Sequence, residues 1–111
     1  MDKQDRILLS SILKETSIIA DLINGYDCDT FISDEKTKRA ACMTLINIGE
    51  MVKLLSENIK QNNTVIPWRS IAGLRDITAH GYQTLRMEDI WETVSEDIPK
   101  LQKQIEEMLE N

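Results

Sequence analysis

The stretch Ala41-Cys42-Met43-Thr44-Leu45-Ile46-Asn47-Ile48-Gly49-Glu50-Met51-Val52-Lys53-Leu54-Leu55 decides how the whole chain is read. Within it, and on to Ile59, Ala41, Leu45, Ile48, Val52, Leu55 and Ile59 recur at alternating steps of four and three. That spacing is a helix-bundle seam. A second row, Met43, Asn47, Glu50 and Leu54, runs along a different face. A helix with apolar residues on two faces is central in a bundle, or packs a core on one side and a partner chain on the other. Gly49, beside Asn47 and Glu50, permits a close approach. Ser33 is the predicted N-cap, with Asp34 and Glu35 in a first turn favoured by the helix dipole. The helix is expected to fray at Gln61-Asn62-Asn63.

Working outward, a first helix is predicted from about Asp2 to Asn24, stopped by Gly25. Leu8, Ile12, Ile19, Leu22, Ile23 and Tyr26 share its apolar face, and Glu15 and Thr16 make the middle of that face a partly wet edge. Tyr26 to Ile32 reads as a short polar loop. After the central helix, Pro67 suits the first turn of a short third helix to about Ala79, packed through Trp68, Ile71, Leu74 and Ile77 and ended by Gly81. A fourth begins near Met87 or Glu88, with Met87, Trp91, Val94, Ile98, Leu101, Ile105 and Met108 again alternating four and three. Pro99 should kink or restart it. No strand-type alternation of useful length occurs. The expectation is an all-α, antiparallel four-helix bundle of three long helices and one short one, a single domain over residues 1–111.

Composition narrows the function class. The 111 residues carry a net charge of −6, with 41% hydrophobic and 29% charged residues, the profile of an ordinary globular chain. No apolar run approaches the ~18 residues that span a bilayer, and the mixed-charge N-terminus does not read as a signal peptide. Cys28 and Cys42 have no partners at zinc-ligand spacing, which fits free thiols in a cytoplasmic protein. An acidic chain is a poor general nucleic-acid coat. Residues 61–86, however, carry Arg69, Arg75 and Arg86 against Asp76 alone, whereas residues 87–111 carry eight acids against two lysines. A small positive site on an acidic body suits local contact with phosphate.

The chemistry gathers in Arg75-Asp76-Ile77-Thr78-Ala79-His80-Gly81-Tyr82, which holds the single histidine. An imidazole exchanges protons near neutral pH, and an arginine fork matches phosphate oxygens. A histidine at a helix end also reads as a simple C-terminal cap favoured by the dipole. On a regular helix five residues separate Arg75 and His80 by about 140°. They converge only at a frayed terminus or across two copies of the segment. Trp68 and Trp91 read as core rather than base-stacking platforms.

Arg75-x4-His80-x-Tyr82, with polar Asp76 after the arginine, resembles the signature of the HEPN ribonucleases. Closest is their HepT-like branch, the toxin half of HepT–MntA toxin–antitoxin pairs. Asn47-Ile48-Gly49-Glu50 looks like that branch's second-helix motif. Ile66-Pro67-Trp68-Arg69-Ser70-Ile71-Ala72-Gly73-Leu74-Arg75 resembles its lead-in, and Ile90-Trp91 through Asp97-Ile98-Pro99-Lys100-Leu101 its last helix. The resemblance implies a HEPN-like bundle, a homodimer with both motifs in one cleft, and metal-independent cleavage of RNA without a cofactor. It implies His80 as general base toward the ribose 2′-hydroxyl and Arg75 as phosphate stabiliser. It also implies Tyr82 as the tyrosine to which an MntA-like nucleotidyltransferase antitoxin transfers AMP. Asp76 is then a candidate to orient Arg75 or a plain surface residue. Asn47 and Glu50 support the cleft or form a buried pair fixing helix register, and Arg69 and Arg86 are candidate RNA contacts. The alternative is a non-catalytic subunit that binds nucleotide or scaffolds a nucleotidyltransferase.

Overall fold

The structure, a computed structural model, describes residues 1–110, the side chains of Ala79 and His80 excepted. Its elements are α1 (Lys3–Leu22), α2 (Cys28–Ser33), α3 (Glu35–Leu54), α4 (Glu57–Gln61), α5 (Trp68–Ala72), a 3-10 turn (Gly73–Asp76), α6 (Ala79–Tyr82), α7 (Met87–Glu92), a π-type turn (Thr93–Asp97) and α8 (Ile98–Glu110). The all-α bundle is as expected, with α1, α3 and the α7–α8 rod as its long members. No helix is long and apolar enough to cross a membrane among the described residues.

The seam that decided the reading is the core. Ala41, Leu45, Ile48 and Val52 are wholly buried, and Leu55 and Ile59 nearly so. On α1 the buried row is Asp5, Leu9, Ile12, Thr16 and Ile19. Leu9 thus takes the core place expected for Leu8, which is half buried. Thr16 is dry rather than wet, because its hydroxyl is satisfied by the Leu13 carbonyl at 2.6 Å; Glu15 beside it keeps the partly exposed place. Asp5 joins the start of α1 to the end of α3, accepting the Ser56 N–H at 2.9 Å and its hydroxyl at 2.5 Å. Asn47 reaches Glu15 in the same antiparallel register.

Four boundaries differ from expectation. The segment read as a loop contains α2. Asp27 accepts the Thr30 N–H while the Thr30 hydroxyl accepts the Asp27 N–H, a reciprocal cap, and Phe31 is fully buried against Trp91, ring centroids 5.3 Å apart. Asp34, not Ser33, caps α3 by accepting the Thr37 N–H, since Ser33 is used up as the end of α2. The central helix ends at Leu54 rather than near Gln61. Ser56 turns its N–H to Asp5 and its hydroxyl caps a new helix, α4. The buried seam nevertheless runs across this break. Gly25 does take a left-handed φ of 82° just after α1, three residues beyond Leu22, where the helix ends.

The irregularity expected at Pro99 is the π-type turn immediately before it. Proline lacks the N–H that would close the preceding helical turn, and wider i→i+5 bonds take up the slack. Val94, Ile98, Leu101 and Ile105 stay buried across it. Trp68 is also buried, its indole N–H donating to the Asn63 carbonyl at 3.0 Å. Both tryptophans therefore pack, as read.

Candidate active site

Gly49 sets the geometry of the Arg75 segment. A Cβ placed on it would lie 2.5 Å from the backbone nitrogen of Arg75 and 3.1 Å from the carbonyl oxygens of Ala72 and Ile71. Backbone packs on backbone here, and only glycine leaves the room. The close approach expected at this glycine is therefore real, and its occupant is the segment that carries Arg75. That side chain is half buried on the 3-10 turn.

Past Arg75 the helix expected to reach Ala79 breaks. Ile77 is buried with an extended backbone (φ −67°, ψ 115°). Thr78 is extended too, and its hydroxyl accepts the Gly81 N–H at 3.1 Å, capping α6. A threonine side chain offers the backbone an alternative to the helical ladder, and two β-branched residues in a row favour extension. Gly81 lies inside this new turn instead of ending the old one. Arg75 and His80 consequently stand on different turns, and the regular-helix angle does not describe them. His80 is part of α6, and its side chain lies outside the described residues.

Tyr82, half buried, is tied to the first turn of α3. Its hydroxyl donates to Glu35 Oε2 at 2.7 Å. The Arg39 guanidinium carbon sits 4.8 Å from the ring centroid, within cation–π range. Arg39 Nε also donates to Glu35 Oε2 at 2.8 Å, and Lys38 Nζ lies 3.2 Å from Oε1. Burial, then the Glu35 hydrogen bond and charge, push the Tyr82 phenol up to about 12. The Tyr82 hydrogen bond, then the one from Lys38, hold the Glu35 carboxyl below its ordinary value. These residues line a groove of about 490 Å³ that continues over Ile46, Ile77 and Met87. Cys42, at the same groove, is buried and its thiol raised to about 11 by that burial.

The remaining candidates lie apart. Asn47 and Glu50 are both exposed rather than a buried pair, and Asn47 donates to Glu15 at 2.9 Å. With Ser11, Lys14 and Met51 they line a different, shallow groove on the α1 side. Asp76 is exposed, and no hydrogen bond or ion pair joins it to Arg75 among the described residues. Arg69 is exposed, and Arg86 is exposed with Asp89 at 3.7 Å. The sequence reading missed Glu35, Lys38 and Arg39 as site residues. Their i, i+3 and i, i+4 spacing was visible, but the bond from Tyr82 spans 47 positions and has no local signal.

Comparison with known proteins bears on what this arrangement does. The family model described as "Ribonuclease HepT-like" matches residues 12–108. A protein of Caldanaerobacter subterraneus named "Putative RNase" is 35% identical over 97% of this chain and 96% of its own length. Another of that name, from Methanocaldococcus jannaschii, is 37% identical over the whole chain and 93% of its own length. A protein of Thermococcus cleftensis named "Probable ribonuclease HepT" is 31% identical over 97% and 98%. No solved structure matches. The matches run through the central helix, the Arg75–Tyr82 segment and the last helix alike, and the chain belongs to the HepT-like ribonuclease family.

Proposed function

We propose that the chain is a metal-independent endoribonuclease toxin, paired with an MntA-like nucleotidyltransferase antitoxin that silences it by transferring AMP to Tyr82. The carrying observation is the seating of Arg75 on Gly49 of α3, one short break ahead of the turn that bears His80 and Tyr82, in a chain of this family. His80 takes the proton of a ribose 2′-hydroxyl as that oxygen attacks the adjacent phosphorus. The bond from phosphorus to the 5′-oxygen breaks, and a 2′,3′-cyclic phosphate remains. Arg75 stabilises the charge that builds on the phosphoryl oxygens. A positioned base contributes roughly 10²–10⁴-fold and a preorganised cation a comparable factor, without a metal. The proton for the leaving 5′-oxygen comes from a second protomer's histidine or from water.

The homodimer follows from the same reading. Met43 and Leu54, large apolar residues of the second row on α3, are 58% and 64% exposed, and their row also bears Asn47 and Glu50. Pairing across this face brings two Arg75 segments toward one cleft, with Arg69 and Arg86 as outlying phosphate contacts. AMP on Tyr82 places negative charge and bulk beside His80, which repels an RNA backbone.

Purified protein is expected to cleave RNA in EDTA, and His80→Ala to abolish cleavage with an unchanged circular-dichroism spectrum. Equal cleavage by the variant contradicts the assignment. The groove lined by the cations Lys38 and Arg39 favours the second reading, a binding or scaffolding subunit. That reading predicts no RNA turnover by wild type even at high protein concentration.

A further inference from the structure

We infer that Glu35 is the group that readies Tyr82 for modification: it holds the phenol, takes its proton as the oxygen attacks the α-phosphorus of a nucleoside triphosphate, and opens onto the groove that receives the transferred nucleotide. This rests on the reading of Tyr82 as a nucleotide acceptor. The Tyr82 hydroxyl points at Glu35 Oε2 from 2.7 Å, so the proton already faces a carboxylate while the oxygen's lone pairs remain open to an electrophile. With its phenol raised to about 12, Tyr82 holds almost no phenolate at neutral pH, and attack needs a base in contact. Glu35 is that contact, and it is ionised under the same conditions.

The step balances without a further reactant beyond the triphosphate. A bond forms between the Tyr82 oxygen and the α-phosphorus, the bond to pyrophosphate breaks, and the proton passes to Glu35 and on to water. The charges around Glu35 suit the product. Lys38 and Arg39 both hold the carboxylate, at 3.2 and 2.8 Å. A phosphodiester on the adjacent oxygen is a second anion within reach of the same two cations. The groove, about 490 Å³, lies inside the roughly 300–1,000 Å³ range of small-ligand sites. Met43, Ile46 and Met87 give it an apolar wall suited to a base.

The test is a time course of intact mass for wild type, Glu35→Gln and Tyr82→Phe, incubated with the partner nucleotidyltransferase and ATP over a range of pH. Glutamine keeps a hydrogen-bond acceptor at an exposed position, so positioning and folding are retained while the base is lost. Wild type should gain AMP mass and Tyr82→Phe none. Glu35→Gln should be slowed at least about tenfold near neutral pH, a modest share of a general base's usual contribution. Its rate relative to wild type should climb with pH as hydroxide supplies the phenolate. The ratio cancels the transferase's own titration, and His80, Lys38, Arg39 and Cys42 are the same in both chains. Equal rates, or a slowing with wild type's pH profile, overturn the role of Glu35 alone. Absence of mass gain on wild type, or gain on Tyr82→Phe, overturns the acceptor reading itself and this inference with it.

Discussion

Along α3, the contact with α1 and the contact with the Arg75 segment are made of different material. Toward α1 the helix presents Leu45, Ile48 and Val52 to Leu9 and Ile12 in the shared core, all wholly buried. Toward the Arg75 segment it presents the bare backbone at Gly49, with room for no additional carbon. A side-chain seam is adjustable, since volume and pattern matter more than identity. A backbone seat is not. The bundle can therefore drift in sequence while the position of Arg75 hangs on one missing methyl.

This contrast can be broken from either side. Ile48→Ala empties a wholly buried site and should lower unfolding free energy in urea by about 2–5 kcal/mol. Cleavage per folded molecule should change little, since the backbone seat is intact. Gly49→Ala should cost less stability, about 1–3 kcal/mol of overpacking. It should cost far more activity, because moving Arg75 by an ångström is worth up to roughly 10²-fold. If Ile48→Ala proves the more damaging to cleavage per folded molecule, the two contacts do not differ as described.

The smallest effect sharpens the comparison at the far end of the segment. Burial and the neighbouring Glu35 carboxylate push the Tyr82 phenol from its ordinary 10.0 up to about 12. The folded state thus holds the proton more tightly, through burial first and the Glu35 bond and charge second, so this contribution is fully present below pH 10 and is lost as pH rises toward 12. Tyr82→Phe should flatten that part of the stability–pH curve and lower stability only slightly at neutral pH, because Tyr82 is half buried and Glu35 is exposed. An identical alkaline slope in the variant would place the observed loss elsewhere.

The apolar seams were legible in the sequence because burial repeats with the helical period. Ala41 through Ile59 and Val94 through Ile105 kept their faces even where the helices broke. The breaks themselves were less visible. Ser56 leaves the helix because Asp5, 51 positions earlier, takes its N–H and hydroxyl. Thr78 looks like any polar residue in a helical run until its hydroxyl caps α6. In the site, Arg75, His80 and Tyr82 stood out by residue type and spacing, and Gly49 by its place beside Asn47 and Glu50. Glu35 was read only as a charge favoured by the helix dipole. Its bond to Tyr82 depends on how α6 folds back over α3, which no local pattern encodes.

The most direct measurement is the chemistry of the RNA ends left by the purified protein in EDTA. The account predicts fragments ending in a 2′,3′-cyclic phosphate and beginning with a 5′-hydroxyl, made by wild type and by neither His80→Ala nor Arg75→Ala. Fragments bearing 5′-phosphates and 3′-hydroxyls, or cyclic-phosphate ends made equally well by the His80→Ala protein, would contradict it.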